Sequence, residues 1–136
     1  MADDDTFNQI RLIRSRLESI EHSQEVLVRV EAPMIWASIE EAFGQDPALA
    51  DVFLLVDGIR TQSQIVAALR AAGAAVVSDA TVSRKVTRLR EELHIIEVVV
   101  SPGQGIVHAK SRLDRILGLT ARTQAWKRRQ GQGDGS

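Results

Sequence analysis

The chain contains no cysteine, so neither a disulfide framework nor thiol chemistry is open to it. It has no apolar run of about 18 residues, the length a membrane-crossing helix requires. Its opening, MADDDTF, is acidic and polar where a secretory leader would be basic and then apolar. An excess of positive charge is also missing, the formal net charge being −1. Over 136 residues these absences predict a soluble, cytoplasmic protein with one small domain and an extension.

Catalytic groupings are missing as well. His22, His94 and His108 are far apart and lack the close histidine or carboxylate spacing of a metal site. The SPGQG segment at 101–105 has the glycines of a tight turn without the lysine of a nucleotide loop. Glu91 and Glu92, like Asp3, Asp4 and Asp5, read as solvated surface charges. The expectation is a protein that is not an enzyme and uses no metal or cofactor, with no apolar pattern that singles out an effector cavity.

The small net charge conceals a gradient. Residues 1–50 carry 4 basic and 10 acidic side chains, residues 51–100 six of each, and residues 101–136 seven basic and two acidic. Contact with a phosphate backbone depends on local potential, so a basic surface can coexist with acidic helices elsewhere.

What is present centres on residues 78–93, SDATVSRKVTRLREEL. Val82, Val86, Leu89 and Leu93 recur at the helical period and define a buried side. The other side holds Thr81, Ser83, Arg84, Lys85, Thr87, Arg88 and Arg90. Ser78 fits the N-cap, and Asp79 adds negative charge at the positive helix end. Upstream, residues 61–72 form a second short amphipathic helix, capped by Thr61, closed by Gly73 and bearing Ile65, Val66 and Leu69. Downstream, IIEVVV, SPGQG and IVHAK read as a hairpin over 95–109. Helix, helix and hairpin in this order predict a winged helix-turn-helix, a mainly α fold with a small β-hairpin. The hairpin tip has no Arg or Lys, leaving backbone amides and Gln104 as its candidate contacts; His108 and Lys110 follow on the returning strand.

A long helix is predicted ahead of this unit. Ile10, Ile13, Leu17, Ile20, Gln24 and Leu27 alternate at spacings of three and four, and Glu31 and Met34 continue the frame. Such a stripe suits a coiled coil between two copies; the competing reading packs it on its own winged domain. Pro33 marks a break. Beyond it, 34–43 and 47–56 are predicted helices, with Trp36 and Phe43 as core and Asp46 capping Pro47. SRLDRILGL gives a helix over 111–119, and 120–129, with Lys127, Arg128 and Arg129, extends it as a basic tail that can bind nucleic acid or remain solvated. The glycine-rich GQGDGS is expected to be disordered. The organisation read from sequence is therefore a helical dimerisation region (1–46), a winged helix-turn-helix (47–119) and a basic, partly disordered tail (120–136).

TVSRKVTRLREEL followed by IIEVVV resembles the reading helix and first wing strand of the winged helix-turn-helix transcriptional regulators. That superfamily includes repressors of the multiple-antibiotic-resistance and arsenical-resistance types. The resemblance spans about residues 49–110 and rests mainly on Thr81, Val82, Ser83, Arg84 and Leu89. It implies that Thr81, Ser83, Arg84 and Arg88 face the major groove or its flanking phosphates. It also implies that Ser78 offers a hydroxyl, that Thr87 shares this face, and that Lys85 contacts the backbone. The chain departs from the family in its uncharged wing tip, its longer turn and its heptad segment. The function implied is a homodimeric, sequence-specific binder of double-stranded DNA that represses transcription. The alternative is a winged-helix adaptor that contacts protein within a larger assembly.

Overall fold

The computed structural model describes residues 2–73, 77–103 and 105–133. In chain order its elements are α1 (Ala2–Val30), α2 (Ala32–Gln45), α3 (Pro47–Leu55), α4 (Gln62–Ala71), α5 (Asp79–Glu91), β1 (Ile96–Ser101), β2 (Gly105–Lys110), α6 (Arg112–Leu117) and α7 (Leu119–Gly133). The helix-turn-helix pair is α4 and α5, α3 is the helix that supports it, and the antiparallel β1–β2 hairpin is the wing. This is a winged helix-turn-helix fold preceded by a long N-terminal helix.

Local chemistry explains most of the boundaries. Pro33 lies in the first turn of α2, where its missing N–H leaves no helical bond unmade. Thr61 and Gln64 form a reciprocal capping box at the start of α4. Ser78 Oγ accepts from Thr81 N at 3.1 Å and fixes the start of α5. At the far end of α5, His94 takes a left-handed conformation with φ +56°, turning the chain so that Ile95 N donates to Leu89 O at 3.1 Å. Ser111 N then donates to Ile95 O at 2.9 Å, tying the start of α6 to the start of the wing.

Toward the C-terminus the structure departs from the sequence reading in two places. The single helix expected over 111–119 is two, because Gly118 adopts a left-handed φ of +63° that ends α6. Asp114 accepts from Thr120 N and Thr120 Oγ1, both at 2.7 Å, and restarts the chain as α7. The expected disorder also begins too early. α7 runs through Gly133, because Leu119, Thr123 and Trp126 are buried and hold this helix against the core. Residues 134–136 lie outside the described chain.

One apolar core gathers these elements. Val82, Val86 and Leu89 of α5 meet Leu49, Val52 and Phe53 of α3 and Ile65 of α4, with Ile95 and Ile96 closing the side nearest the wing. The core extends across residue 46 on one side and residue 119 on the other. Phe43 of α2 lies 5.8 Å from the Trp126 ring of α7 and 6.3 Å from the Phe53 ring of α3. Trp36 is half-buried, with the Arg122 guanidinium 6.0 Å from its ring centre. Gly58 N donates to His108 O at 2.8 Å, joining the turn after α3 to the wing.

The two sides of α5 should therefore respond differently to truncation. Leu89→Ala, at a fully buried position, is expected to cost about 2–5 kcal/mol in urea unfolding. Ser83→Ala, on the exposed side, should stay within about 0.5 kcal/mol. Equal losses would contradict this assignment of faces.

Candidate nucleic-acid interface

Once Val82, Val86 and Leu89 are buried, Ala80, Ser83, Arg84, Thr87 and Glu91 form the outward side of α5. Three of these five have short side chains, so another molecule could come close to the helix backbone. Arg84 is the long cationic group among them. Its Nε donates to Ala80 O at 3.3 Å, which leaves the far guanidinium nitrogens for an outside acceptor. Ser78 and Thr81 are paired through their hydroxyls at 2.9 Å beside the helix start.

The remaining cations of this helix are engaged within the domain. Lys85 Nζ is hydrogen-bonded to Asp46 Oδ2, and Arg88 Nη1 lies 3.6 Å from the same oxygen. Arg88 Nε also donates to Glu92 Oε2 at 3.0 Å. Asp46 occupies the N-cap position of α3 as expected, yet its side chain makes no capping bond, being turned toward these two cations. All three side chains are two-thirds or more buried, so the cluster is screened less than an open surface pair. Of the residues expected to meet DNA, Ser83, Arg84 and Thr87 thus lie together on the open side. Ser78 and Thr81 stand at its leading end, and Lys85 and Arg88 are drawn toward α3.

Two hydrogen bonds set α5 against α4 across the connector. Gln62 Nε2 donates to Asp79 O at 3.2 Å, and Arg70 Nη2 donates to Val77 O at 2.9 Å. Residues 74–76 of the connector lie outside the described residues. Sequence reasoning missed the roles of Gln62 and Asp46, which depend on an approach between segments 17 and 39 residues apart, and that of Arg70, which depends on how the chain turns between α4 and α5.

The wing differs from a basic blade. Gln104 lies outside the described residues, and the neighbouring strand positions Val98, Val100 and Ile106 are exposed and apolar. The basic residues on the returning strand face inward. Lys110 Nζ donates to Val56 O at 2.7 Å and sits 5.3 Å from the centre of the Phe53 ring. Burial lowers the Lys110 pKa, against the opposing pull of Asp114 and Asp57. His108 is buried and its Nε2 lies 3.1 Å from Arg90 Nη1. A guanidinium can only donate, so this histidine accepts and is neutral. Period-two alternation gave no signal for this, since it sets the exposed Ile106 on the same face as His108 and Lys110 and the fully buried Val107 on the other.

The heptad residues are open along their length. Ile10, Ile13, Leu17, Ile20 and Leu27 are each more than half exposed, and Gln24 is exposed beside them. α1 meets its own domain only near its C-terminal end, where Val28 is half-buried and Arg112 Nη2 donates to Glu25 Oε1 at 2.7 Å. That bond from Arg112 holds the Glu25 carboxyl below its ordinary pKa. The stripe therefore does not pack on its own winged domain. Among the described residues no helix is long and apolar enough to cross a membrane, and no group of three or more His, Cys, Asp or Glu is placed to hold a metal ion.

Burial first, and then the nearby Arg90 charge, lower the His108 pKa from 6.5. A histidine depressed on folding stabilises the fold fully above its unfolded pKa, and that stability is lost as pH falls below it. The urea midpoint should decline from about pH 7 to about pH 5, and His108→Gln, which keeps an acceptor without a titrating group, should flatten the decline. An unchanged slope in that variant would contradict a neutral buried His108. The paired carboxylates Glu25 and Asp57 are held low and lose their contribution only in more acidic solution. At Asp57, burial raises the pKa but is outweighed by the Arg60 and Ile59 amides and the Arg60 charge.

Compared with models of protein families, with curated proteins and with solved structures, the chain matches none.

Proposed function

We propose that the protein is a homodimeric regulator that binds double-stranded DNA through α5 and represses transcription by occluding a promoter, acting in the cytoplasm by binding and not by catalysis. The observation that carries this reading is the open stripe Ala80, Ser83, Arg84 and Thr87 on the second helix of a helix-turn-helix. Short side chains let the helix backbone enter the major groove, and a guanidinium among them can address the two acceptors of a guanine edge. Ser78 and Thr81, at the leading end, suit phosphate oxygens. Pairing through α1 would join two such helices at high effective concentration, reading half-sites about 34–36 Å apart.

The internal pairing of Lys85 and Arg88 with Asp46 gives this reading a specific electrostatic form. On α5 few cations remain for phosphate, so the affinity of this helix should rest more on Arg84 than on general charge, and its share of the salt dependence should be shallow. The adaptor reading draws on a different observation, the uncharged wing with exposed Val98, Val100 and Ile106, which fits a protein partner better than a phosphate backbone.

Fluorescence anisotropy against a selected duplex pool at two salt concentrations tests the proposal. Arg84→Ala should weaken specific binding by about 1–3 kcal/mol and relax preference at one base position. Asp46→Asn should do the reverse to nonspecific binding, freeing Lys85 and leaving Arg88 with Glu92 alone, raising affinity for all duplexes and steepening the salt slope. Absence of binding to any duplex at low salt would reject DNA as the ligand and leave the adaptor reading.

A further inference from the structure

The open seam of α1 has a groove beside it. At the C-terminal end of the helix, Val28 with Leu113 and Ile116 of α6 forms an apolar wall, and Gln24, the Glu25–Arg112 ion pair, His94, Glu97 and Ser111 form a polar one, around a cavity of about 320 Å³. None of the described residues fills it. At the opposite end of the same helix Phe7 stands 64% exposed, next to the seam rather than on it. In the heptad frame of Ile10, Ile13, Leu17 and Ile20, Phe7, Arg14, Glu21 and Val28 share one flanking position.

We propose that the second copy lies antiparallel to the first, with its Phe7 seated in this groove. The inference rests on the dimer of the preceding reading and specifies its geometry. Pairing Leu17 with Ile20 of the second copy sets Ile10 against Leu27 and Ile13 against Gln24. In that register the flanking residues of the two helices meet as Arg14 with Glu21 and as Phe7 with Val28, each twice by symmetry. The exposed aromatic ring then reaches the end of α1 whose cavity has the apolar wall of Val28, Leu113 and Ile116. In an in-register parallel pair the neighbour of Phe7 is Ala2 of the other copy, far from that cavity.

The charge pattern points the same way. Along α1, Asp3, Asp4 and Asp5 are followed by Arg11, Arg14 and Arg16, and these by Glu18, Glu21 and Glu25. Parallel helices align each block with its own kind, leaving Arg16 with Glu21 as the flanking attraction. Antiparallel helices set the basic block of each copy against the stretch holding Glu21 of the other, Glu25 being held by Arg112 of its own copy, with Arg14 and Glu21 as the flanking attraction. The arrangement places the two junctions with the winged domains, near Val30, about 35 Å apart along the paired helices at 1.5 Å per residue, close to one turn of duplex.

The absence of native cysteine makes the orientation directly measurable. Ile13→Cys and Gln24→Cys chains, one carrying a terminal tag so that the products differ in mass, are mixed, allowed to exchange subunits and oxidised. The antiparallel register brings the two introduced residues together across the seam and holds each about 16 Å or more from its own copy, so only the mixed disulfide should form. Self-linked Gln24→Cys or Ile13→Cys dimers would overturn the antiparallel arrangement while leaving a dimer in place. A monomeric mass for the unmodified chain in sedimentation at micromolar concentration would overturn the dimer itself, a result separate from whether DNA is bound. Phe7→Ala removes two such contacts per dimer and should raise the dimer dissociation constant by about a hundredfold. An unchanged constant would remove Phe7 from the groove.

Discussion

The burial of Val82, Val86 and Leu89 against α3 decides the orientation of everything else in the domain. These three residues fix which side of α5 faces outward, and so which of its polar residues can meet another molecule. The α5 interface with α3 is completed by Ile65 from α4 and by Ile95 where the chain turns toward the wing. Apolar burial of this kind is nondirectional, and what makes it specific here is the set of directional bonds around its edge. Those are the Ser78 cap, the Gln62 and Arg70 bonds across the connector, and the bond from Gly58 N to the His108 carbonyl.

Electrostatics then divides the polar side of α5 in two. Asp46 draws Lys85 and Arg88 toward α3, whereas Arg84 remains on the outer stripe. A count of basic residues on the helix overstates the positive potential available to a ligand, because a carboxylate from a distant loop cancels much of it. The wing follows the same principle. His108 and Lys110 are polar in sequence, but Arg90, the Val56 carbonyl and the Phe53 ring take them into the domain. The exposed part of the hairpin is left apolar.

α1 has the opposite character. Among the described residues nothing covers its apolar side, and its last turns are tied to α6 through Val28 and the Glu25 bond with Arg112. A row of half-exposed Ile and Leu along a 29-residue helix is unstable as a free surface and suits a second helix. Besides the apolar hairpin, the chain thus presents a polar stripe on α5 and, separate from it, an apolar stripe on α1.

Periodicity and caps made the element order readable from the chain. The 4, 3, 4 spacing from Val82 to Leu93, the Thr61 and Ser78 caps, Pro33 and Pro47 are each local, acting within a turn or two of helix, so residue order alone determines them. The inner and outer sides of α5 and the open heptad stripe were legible for the same reason. The pairing of Asp46 with Lys85 and Arg88, the inward turn of Lys110, and the extension of α7 under Trp126 were decided only by tertiary structure. In each of these, groups 39 to 83 residues apart in the chain are brought within a few ångströms by packing, and no local pattern encodes which charge or ring will be the neighbour.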